Sequence, residues 1–326
     1  MVAAVLAPPG WSVGLDVGGS KVLGVMIDEH ATVRGVTRVP TRRGVDGVLA
    51  SAEETVQRLC RSVGMSPGDL VGVGVGVPGL VDPVERSISH AVNLGIDGVP
   101  VPLGSLLSAR LDGVRVDVEN DLNAAALGAA QVLGLTQDLA FLALGTGVAA
   151  GLLLDGRLRR GSMGGAGEIG HITYIADGPM CPCGQRGCLE LYASGSAIDA
   201  AWPSRWGRPA PAEVFEAAAA GDHQALVVRD SFVDAVAAAV RFLVLTCDVR
   251  HVLLGGGVSD VGAPLADAVG ASLRRQAERS DFLASLRIAD RVMVVPRGAL
   301  VAPIGAALAA REPLHALSAG AVSWRS

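Results

Sequence analysis

The sequence predicts an α/β protein in which short buried strands alternate with helices. Brief runs rich in Val and Leu stop at glycine-containing turns, and longer Ala-rich stretches follow several of them. Of the 326 residues, 50% are hydrophobic and 18% are charged, which excludes a disordered or fibrous chain. A chain of this length has room for two domains.

The first elements are a strand, a glycine turn and a second strand over residues 12–28, and the pattern returns over residues 139–156. The matching pairs, all at one constant spacing, are Leu15 and Leu142, Gly18 and Gly145, Gly24 and Gly151, and Asp28 and Asp155. Chance matches are the alternative in a chain with 43 glycines. If the unit is duplicated, two glycine turns face each other across a cleft and hold a nucleotide's phosphates.

The remaining elements alternate in the same way, which indicates mainly parallel or mixed sheets covered by helices. Residues 201–222 form either a connection or a surface helix. The expected strands are 71–82, 113–120, 251–257 and 291–296, and the expected helices are 122–133, 234–246, 263–276 and 304–311.

Charge and hydropathy exclude two classes of partner. The net charge is −5 and no basic patch is larger than Arg157, Arg159 and Arg160, which we interpret as a solvated hairpin edge, so no nucleic-acid partner is expected. The longest apolar run, residues 139–154, is shorter than the roughly 20 residues of a membrane-spanning helix. No Lys or Arg precedes Lys21, so a secretory signal is not indicated and we expect a cytoplasmic protein.

Asp16 lies at the end of the first strand and is followed by Gly18, Gly19, Ser20 and Lys21. The carboxylate could hold Mg²⁺, directly or through water, while the turn donates to phosphate oxygens. The spacing is not that of a P-loop. A plain hairpin turn is the alternative.

Glu119, Asn120 and Asp121 lie where a predicted strand ends and a helix begins, a position at which α/β sheets present catalytic groups. Asn120 or Asp121 could simply cap that helix. In the functional interpretation, Asp121 is a general base for a substrate hydroxyl and Asn120 holds a neighbouring hydroxyl.

The third group of residues has the spacing of a metal site. Glu168 and His171 precede three close cysteines, Cys181, Cys183 and Cys188, and Glu190 follows them. Three cysteines and one histidine complete a tetrahedral site, and four protein ligands favour a structural zinc. A disulfide or unrelated thiols are the alternatives.

These segments together resemble the ROK family (repressor, open reading frame, kinase) over residues 13–309. The segments that carry the resemblance are DVGGSK, GVPGLVD, VENDLNAAALGA, LGTGVAAGLLLDG, GAGEIGH and CPCGQRGCLE. The resemblance implies the duplicated, actin-like ATPase (ribonuclease H-like) fold with two domains around a cleft. The small domain would be residues 11–119 plus about 301–318, and the large domain residues 120–300. It also implies a glucokinase-like activity, ATP-dependent phosphorylation of a hexose at the 6-hydroxyl, in a homodimer or homotetramer.

Residue by residue, the resemblance makes Asp121 the catalytic base and assigns the other positions to ligands. The sugar-binding positions are Gly79, Asn93, Asn120, Glu168, His171 and Glu190; the nucleotide positions are Asp16, Gly18, Gly19, Ser20, Lys21, Gly145, Thr146, Gly147, Gly255, Gly256 and Gly257; the zinc ligands are His171, Cys181, Cys183 and Cys188. Implied cofactors are ATP, Mg²⁺ and structural Zn²⁺.

The sequence departs from the family pattern at Ser20, Ala129, Ala149 and Ala150. The alanines after the second glycine turn add two methyl groups where family kinases usually have glycines, and we expect weaker or altered ATP binding there. The family's DNA-binding repressors carry an added N-terminal domain, and because only about ten residues precede the first strand here, we do not expect a repressor. A non-catalytic sugar sensor and a kinase of an amino sugar, an N-acetylhexosamine or a cyclitol remain alternatives to a glucose kinase.

Overall fold

The computed structural model describes residues 10–311. They form two compact units, unit 1 from residues 10–132 with 300–311 and unit 2 from residues 133–299. Unit 1 continues past the domain boundary at residue 119 that we expect from the sequence, and residues 312–318 of the expected small domain lie outside the described residues. No helix in residues 10–311 is long and apolar enough to cross a membrane.

Unit 1 contains a five-stranded sheet with the strand order β3-β2-β1-β4-β7. The pairs β3–β2 and β2–β1 are antiparallel, whereas the pairs β1–β4 and β4–β7 are parallel. The elements of unit 1 are β1 Ser12–Val17, β2 Lys21–Ile27, β3 Val33–Pro40, α1 Val45–Ser62, β4 Gly72–Val77, β5 Leu80–Asp82, β6 Ser87–Ser89, α2 Leu103–Arg110, β7 Val116–Asn120, α3 Asp121–Leu133 and, from the far end of the chain, α10 Val301–Ala309.

Helices cover both faces of this sheet. On one face, Gly14 and Gly74 allow the backbone of α10 to lie directly on β1 and β4, because a Cβ atom at either glycine would fall within 2 Å of a carbonyl oxygen of that helix. On the other face, Gly24 lies beneath Thr55 and Leu59 of α1. Adjacent strand residues point to opposite faces, so the glycines on each face let one helix approach the sheet closely from that side.

Unit 2 contains a second five-stranded sheet, with the order β10-β9-β8-β11-β12 and the same strand directions in sequence as the first. Its core lies beneath the long helix α7 and its neighbours. The elements are β8 Leu139–Leu144, β9 Val148–Leu154, β10 Arg157–Leu158, α4 Glu190–Ala193, α5 Gly195–Ala201, α6 Ala210–Ala219, α7 His223–Cys247, β11 His251–Gly255, α8 Ala263–Ala277, α9 Asp281–Ser285 and β12 Val292–Val294.

The two sheets are a structural repeat, as the sequence predicts, but the predicted register of the repeat is wrong in its second strand. Leu15 pairs with Gly24 in the first hairpin, and Leu142 pairs with Ala150 in the second. The second turn is one residue shorter, since Val17 pairs with Val22 whereas Leu144 pairs with Val148. Ala150 therefore takes the place of Gly24, and the matches of Gly24 to Gly151 and Asp28 to Asp155 are coincidental.

A buried carboxylate holds the loop between α5 and α6. Glu213 is fully buried and accepts hydrogen bonds from the Ser204 hydroxyl and from the backbone N–H groups of Arg205, Trp206 and Arg208. Burial alone would raise the pKa of this carboxyl, but the four donors outweigh it and lower the pKa to about 2.

We expect Glu213→Gln to lower the free energy of unfolding near neutral pH and to weaken its acid dependence. Because the folded pKa is below the ordinary value of 4.5, the carboxylate stabilises the fold above that pH, and the contribution is lost as the pH falls towards about 2. Urea unfolding at about pH 7 and about pH 3 measures this difference. Glu216→Gln, at an exposed neighbour paired with Arg208, is the control. An equal loss of stability with acid in wild type and Glu213→Gln would contradict the assignment.

Candidate active site

The parallel strands of unit 1 bring its predicted catalytic residues to one edge of the sheet. Asp16 at the end of β1 pairs with Gly76 of β4, and Gly76 in turn pairs with Glu119 of β7. Gly76 also lies close to the backbone of Asp121, since a Cβ atom there would be 3.6 Å from the Asp121 Cα. The sheet therefore places the Asp16 turn next to the start of α3, at the carboxyl ends of its strands.

The electrostatics of Asp16 reflect this neighbourhood. Burial and the nearby charge of Asp121 raise the pKa of Asp16 to about 6, against the opposing effect of Lys21. Two neighbouring carboxylates in a half-buried position are a donor set that favours a cation over further anions.

The first glycine turn is held by its own backbone and by the end of β3. The N–H of Gly18 donates to the carbonyl of Lys21, and the hydroxyl of Thr41 donates to the carbonyl of Gly18 at 2.7 Å. Gly19 lies against Asn93, whose carbonyl oxygen would be 3.0 Å from a Cβ atom at that glycine. The structure thus brings the predicted sugar residue Asn93 to the predicted phosphate turn. Thr41 has no signal in the sequence, because its contact is with a turn residue 23 positions earlier in the chain.

The start of α3 carries a capping residue and the predicted general base. The Asn120 Oδ1 accepts from the N–H groups of Leu122 and Asn123, so the capping interpretation holds for Asn120. Its Nδ2 is 3.4 Å from the carbonyl oxygen of Gly79, which places two of the predicted sugar residues side by side. The carboxylate of Asp121 accepts from the N–H of Leu122 in the first turn of α3.

Glu119 has a role that the sequence does not indicate. Its side chain is buried, and its Oε1 accepts from the backbone N–H of Asn120 and from the side-chain amide of Asn123. The carboxylate thereby fixes the junction between β7 and α3 on which Asp121 lies.

In unit 2 the second and third predicted glycine segments lie together. The N–H of Gly145 donates to the carbonyl of Gly147, which closes the turn Gly145–Thr146–Gly147. Gly256 has φ of 81° and packs on β8, where a Cβ atom would lie 2.6 Å from the Leu144 carbonyl oxygen. Only glycine fits that combination of positive φ and close approach. Gly255 and Gly257 flank it, so both segments end at the same edge of the second sheet.

The segment with Glu168 and His171 runs beside the start of β9. Gly167 exchanges backbone contacts with Ala150, whose N–H donates to the Gly167 carbonyl, and a short 3₁₀ helix, Ile169–His171, follows. Ala150 is 4% exposed and lies in the core of unit 2, so its methyl group packs into the protein rather than next to phosphates. Direct contact of the Ala150 methyl group with phosphates is therefore not expected, and the effect of the two alanines on ATP binding stays a prediction.

The predicted metal ligands converge. One ligand atom from each of His171, Cys181, Cys183 and Cys188 lies within 4.8 Å of all the others. The Cys183 and Cys188 sulfurs are 3.6 Å apart, and the Cys181 sulfur is 4.0 Å from the His171 Nδ1. A tetrahedral zinc with Zn–S bonds near 2.3 Å has ligand-to-ligand edges of about 3.8 Å, so the donor set fits that ion. All three cysteines are free, so the disulfide alternative does not apply. Zinc ligation through one ring nitrogen of His171 would leave the other nitrogen for a second partner.

Comparison with known proteins decides the family. The sequence matches the model of the ROK family over residues 12–309. The chain belongs to the ROK family. It is 31% identical to a glucokinase of Streptomyces coelicolor, over 93% of this chain and 98% of the relative. It is 31% identical to an N-acetylmannosamine kinase of Vibrio cholerae, over 76% of this chain and 84% of the relative.

A solved structure agrees with this assignment. A ROK family glucokinase from Streptomyces griseus, in complex with glucose and AMPPNP, matches with a TM-score of 0.74 and 30% identity, over 93% of this chain and all of that one. The predictions of the ROK family, and of the actin-like ATPase fold with two domains, are confirmed.

Proposed function

We propose that the protein is an ATP-dependent glucose kinase in which Asp121 accepts the proton of the reacting sugar hydroxyl, the 6-hydroxyl in our proposal. The observation that carries the proposal is the placement of Asp121 and Asp16 together, beside a glycine turn, at the carboxyl edge of the first sheet. The Streptomyces griseus relative described with glucose and AMPPNP supports the substrate pair.

The remaining roles follow from chemistry that each side chain can perform. Amide, imidazole and carboxylate groups bind sugar hydroxyls, and we assign that role to Asn93, Asn120, Glu168, His171 and Glu190, with Gly79 providing the backbone beside Asn120. Glycine turns expose backbone N–H groups to phosphate oxygens. The first phosphate turn consists of Gly18, Gly19, Ser20 and Lys21, and the second consists of Gly145, Thr146 and Gly147. Gly255, Gly256 and Gly257 would bind near the adenosine.

The two implied metals have separate places. Asp16 would hold Mg²⁺, because this carboxylate lies beside a second one and is partly desolvated. When bound, Mg²⁺ offsets the negative charge of the phosphates. The cluster of His171 with the three cysteines would hold a structural zinc, which would order the segment that carries Glu190.

A second substrate class has its own support. The Vibrio cholerae relative is an N-acetylmannosamine kinase, and its likeness to this chain extends over 76% of the residues. An N-acetylhexosamine or amino sugar is therefore the alternative substrate.

We further propose a cytoplasmic homodimer or homotetramer that acts in carbohydrate metabolism.

The deciding experiment is ADP release with Mg-ATP across a panel of hexoses, N-acetylhexosamines, amino sugars and cyclitols. We expect glucose to give the highest kcat/KM, and phosphorus NMR of the product identifies the hydroxyl that is phosphorylated. A much higher kcat/KM for an N-acetylhexosamine would replace glucose by the alternative. Absence of ADP release with every sugar, in folded protein that binds sugar, would favour a sensor.

We expect Cys183→Ser to release zinc and to raise the KM for sugar by about tenfold or more, since loss of a ligand disorders the segment between His171 and Glu190. Elemental analysis of the purified protein and the sugar dependence of ADP release measure both effects. Cys247→Ser is the control, because that thiol lies outside the cluster. A zinc-free Cys183→Ser protein with unchanged sugar KM would contradict the role of the metal.

A further inference from the structure

The carboxylate of Glu190 is bonded to the second phosphate turn. Its Oε2 accepts the backbone N–H of Val148, the residue directly after the turn, at 3.0 Å. The same oxygen lies against Gly147, where a Cβ atom would be only 2.3 Å away. The carboxylate therefore occupies the space beside Gly147 that any other residue would fill, and it contacts the turn on the side of β9.

A second bond from the same short segment holds the other end of the turn. The N–H of Gly195 donates to the carbonyl of Gly145 at 2.7 Å. Residues 190–195, which comprise α4 and the residues that follow it, thus contact both ends of the turn Gly145–Gly147. The position of the phosphate turn depends on where this segment lies.

The segment that holds the turn is itself fixed by the metal-binding loop. Glu190 follows Cys188 by two residues, and the N–H of the intervening Leu189 donates to the Ile172 carbonyl next to His171. On its other side, the carbonyl of Val148 lies against Gly170, where a Cβ atom would be 2.1 Å away. Val148 therefore lies between two parts of this region. Its N–H donates to Glu190, and its carbonyl packs against Gly170 in the segment that carries His171.

We infer that Glu190 is a positioning residue for the nucleotide as well as a contact for the sugar. One carboxylate has two oxygens: Oε2 holds the phosphate turn, and Oε1, which makes no hydrogen bond within residues 10–311, is available for a sugar hydroxyl. Loss of the side chain then weakens the binding of both substrates, although Glu190 touches only one of them. The inference rests on the proposed kinase function.

The experiment measures ADP binding by calorimetry in the absence of sugar, together with the KM for glucose. For Glu190→Ala we expect a dissociation constant for ADP about tenfold higher than that of wild type, the effect of losing one hydrogen bond to a charged acceptor. Glu190→Gln keeps a carbonyl oxygen for the Val148 N–H, so ADP affinity should return to within about twofold of wild type while the glucose KM stays raised.

Glu168→Ala is the matched control. Glu168 is also assigned to the sugar, but the Val148 N–H donates to Glu190 and not to Glu168, so the glucose KM should rise without a change in ADP affinity. The inference is overturned if Glu190→Ala binds ADP as tightly as wild type, or if Glu190→Gln loses as much ADP affinity as Glu190→Ala. If wild-type protein binds no ADP, the proposed function itself fails, which is a distinguishable result.

Discussion

Asp121→Asn is expected to bind glucose with near-normal affinity and to turn over about 10²–10⁴-fold more slowly, the usual effect of losing a general base. Asparagine keeps an oxygen that can accept the Leu122 N–H, so the start of α3 should be preserved. It cannot accept the proton of the sugar hydroxyl, so the barrier to transfer rises. Calorimetry of glucose binding and the rate of ADP release separate these two effects.

A matched substitution tests whether the loss is specific to this carboxylate. Asp69 also accepts local donors, the backbone N–H and the hydroxyl of Ser66 at the turn after α1, and lies outside the site, so Asp69→Asn should retain full turnover. Retention of more than about a tenth of wild-type turnover by Asp121→Asn would refute the role of Asp121 as the base.

The sequence is informative about the strands and the glycine turns because their signals are local. Alternating apolar runs interrupted by glycine predict β1, β2, β8 and β9 within a residue or two. The predicted strand over residues 71–82 is in fact two strands, β4 and β5. Pro78 supplies no backbone N–H and Gly79 has φ of 96°, so the chain turns there.

Helix limits were harder to predict because they depend on caps and on distant packing. The helix expected over residues 234–246 begins at His223, since the Asp222 side chain accepts from Ala225 and starts it eleven residues earlier. The segment over residues 201–222, open between a connection and a helix, contains α6 at Ala210–Ala219. The conformation of loop 203–209 depends on hydrogen bonds to the buried Glu213. No local sequence pattern shows that Glu213 is buried while Glu216 is exposed.

In the candidate site, too, local features could be predicted from the sequence and long-range contacts could not. Residue types and spacing were enough to indicate the metal cluster, because four ligands within 18 residues leave few other arrangements. The bond from Val148 to Glu190 joins residues 42 positions apart, and the contact of Thr41 with Gly18 joins the end of β3 to the turn between β1 and β2. Such contacts form only when the sheets have folded, so no local pattern in the sequence predicts them.

Gly128→Ala is expected to lower the free energy of unfolding by about 2–3 kcal/mol, as overpacking of a close helix contact does. Gly128 of α3 faces α10, where a Cβ atom would lie 1.8 Å from the Val301 carbonyl oxygen. Gly305 of α10 makes the reciprocal approach, 1.7 Å from the Ala124 carbonyl oxygen. Both obstacles are backbone, so the two helices must separate to admit a methyl group.

The sign of this effect distinguishes packing from helix propensity. Alanine in a helix interior is favoured over glycine by about 1 kcal/mol, so propensity alone predicts a more stable protein. Gly68→Ala, where a Cβ atom would meet only ordinary contact at 3.7 Å, is the control in urea unfolding. Because α3 begins at Asp121, separation of α3 from α10 would also displace the proposed general base, so turnover should fall together with stability. A Gly128→Ala protein as stable and as active as wild type would show that α3 and α10 can adjust without moving the site.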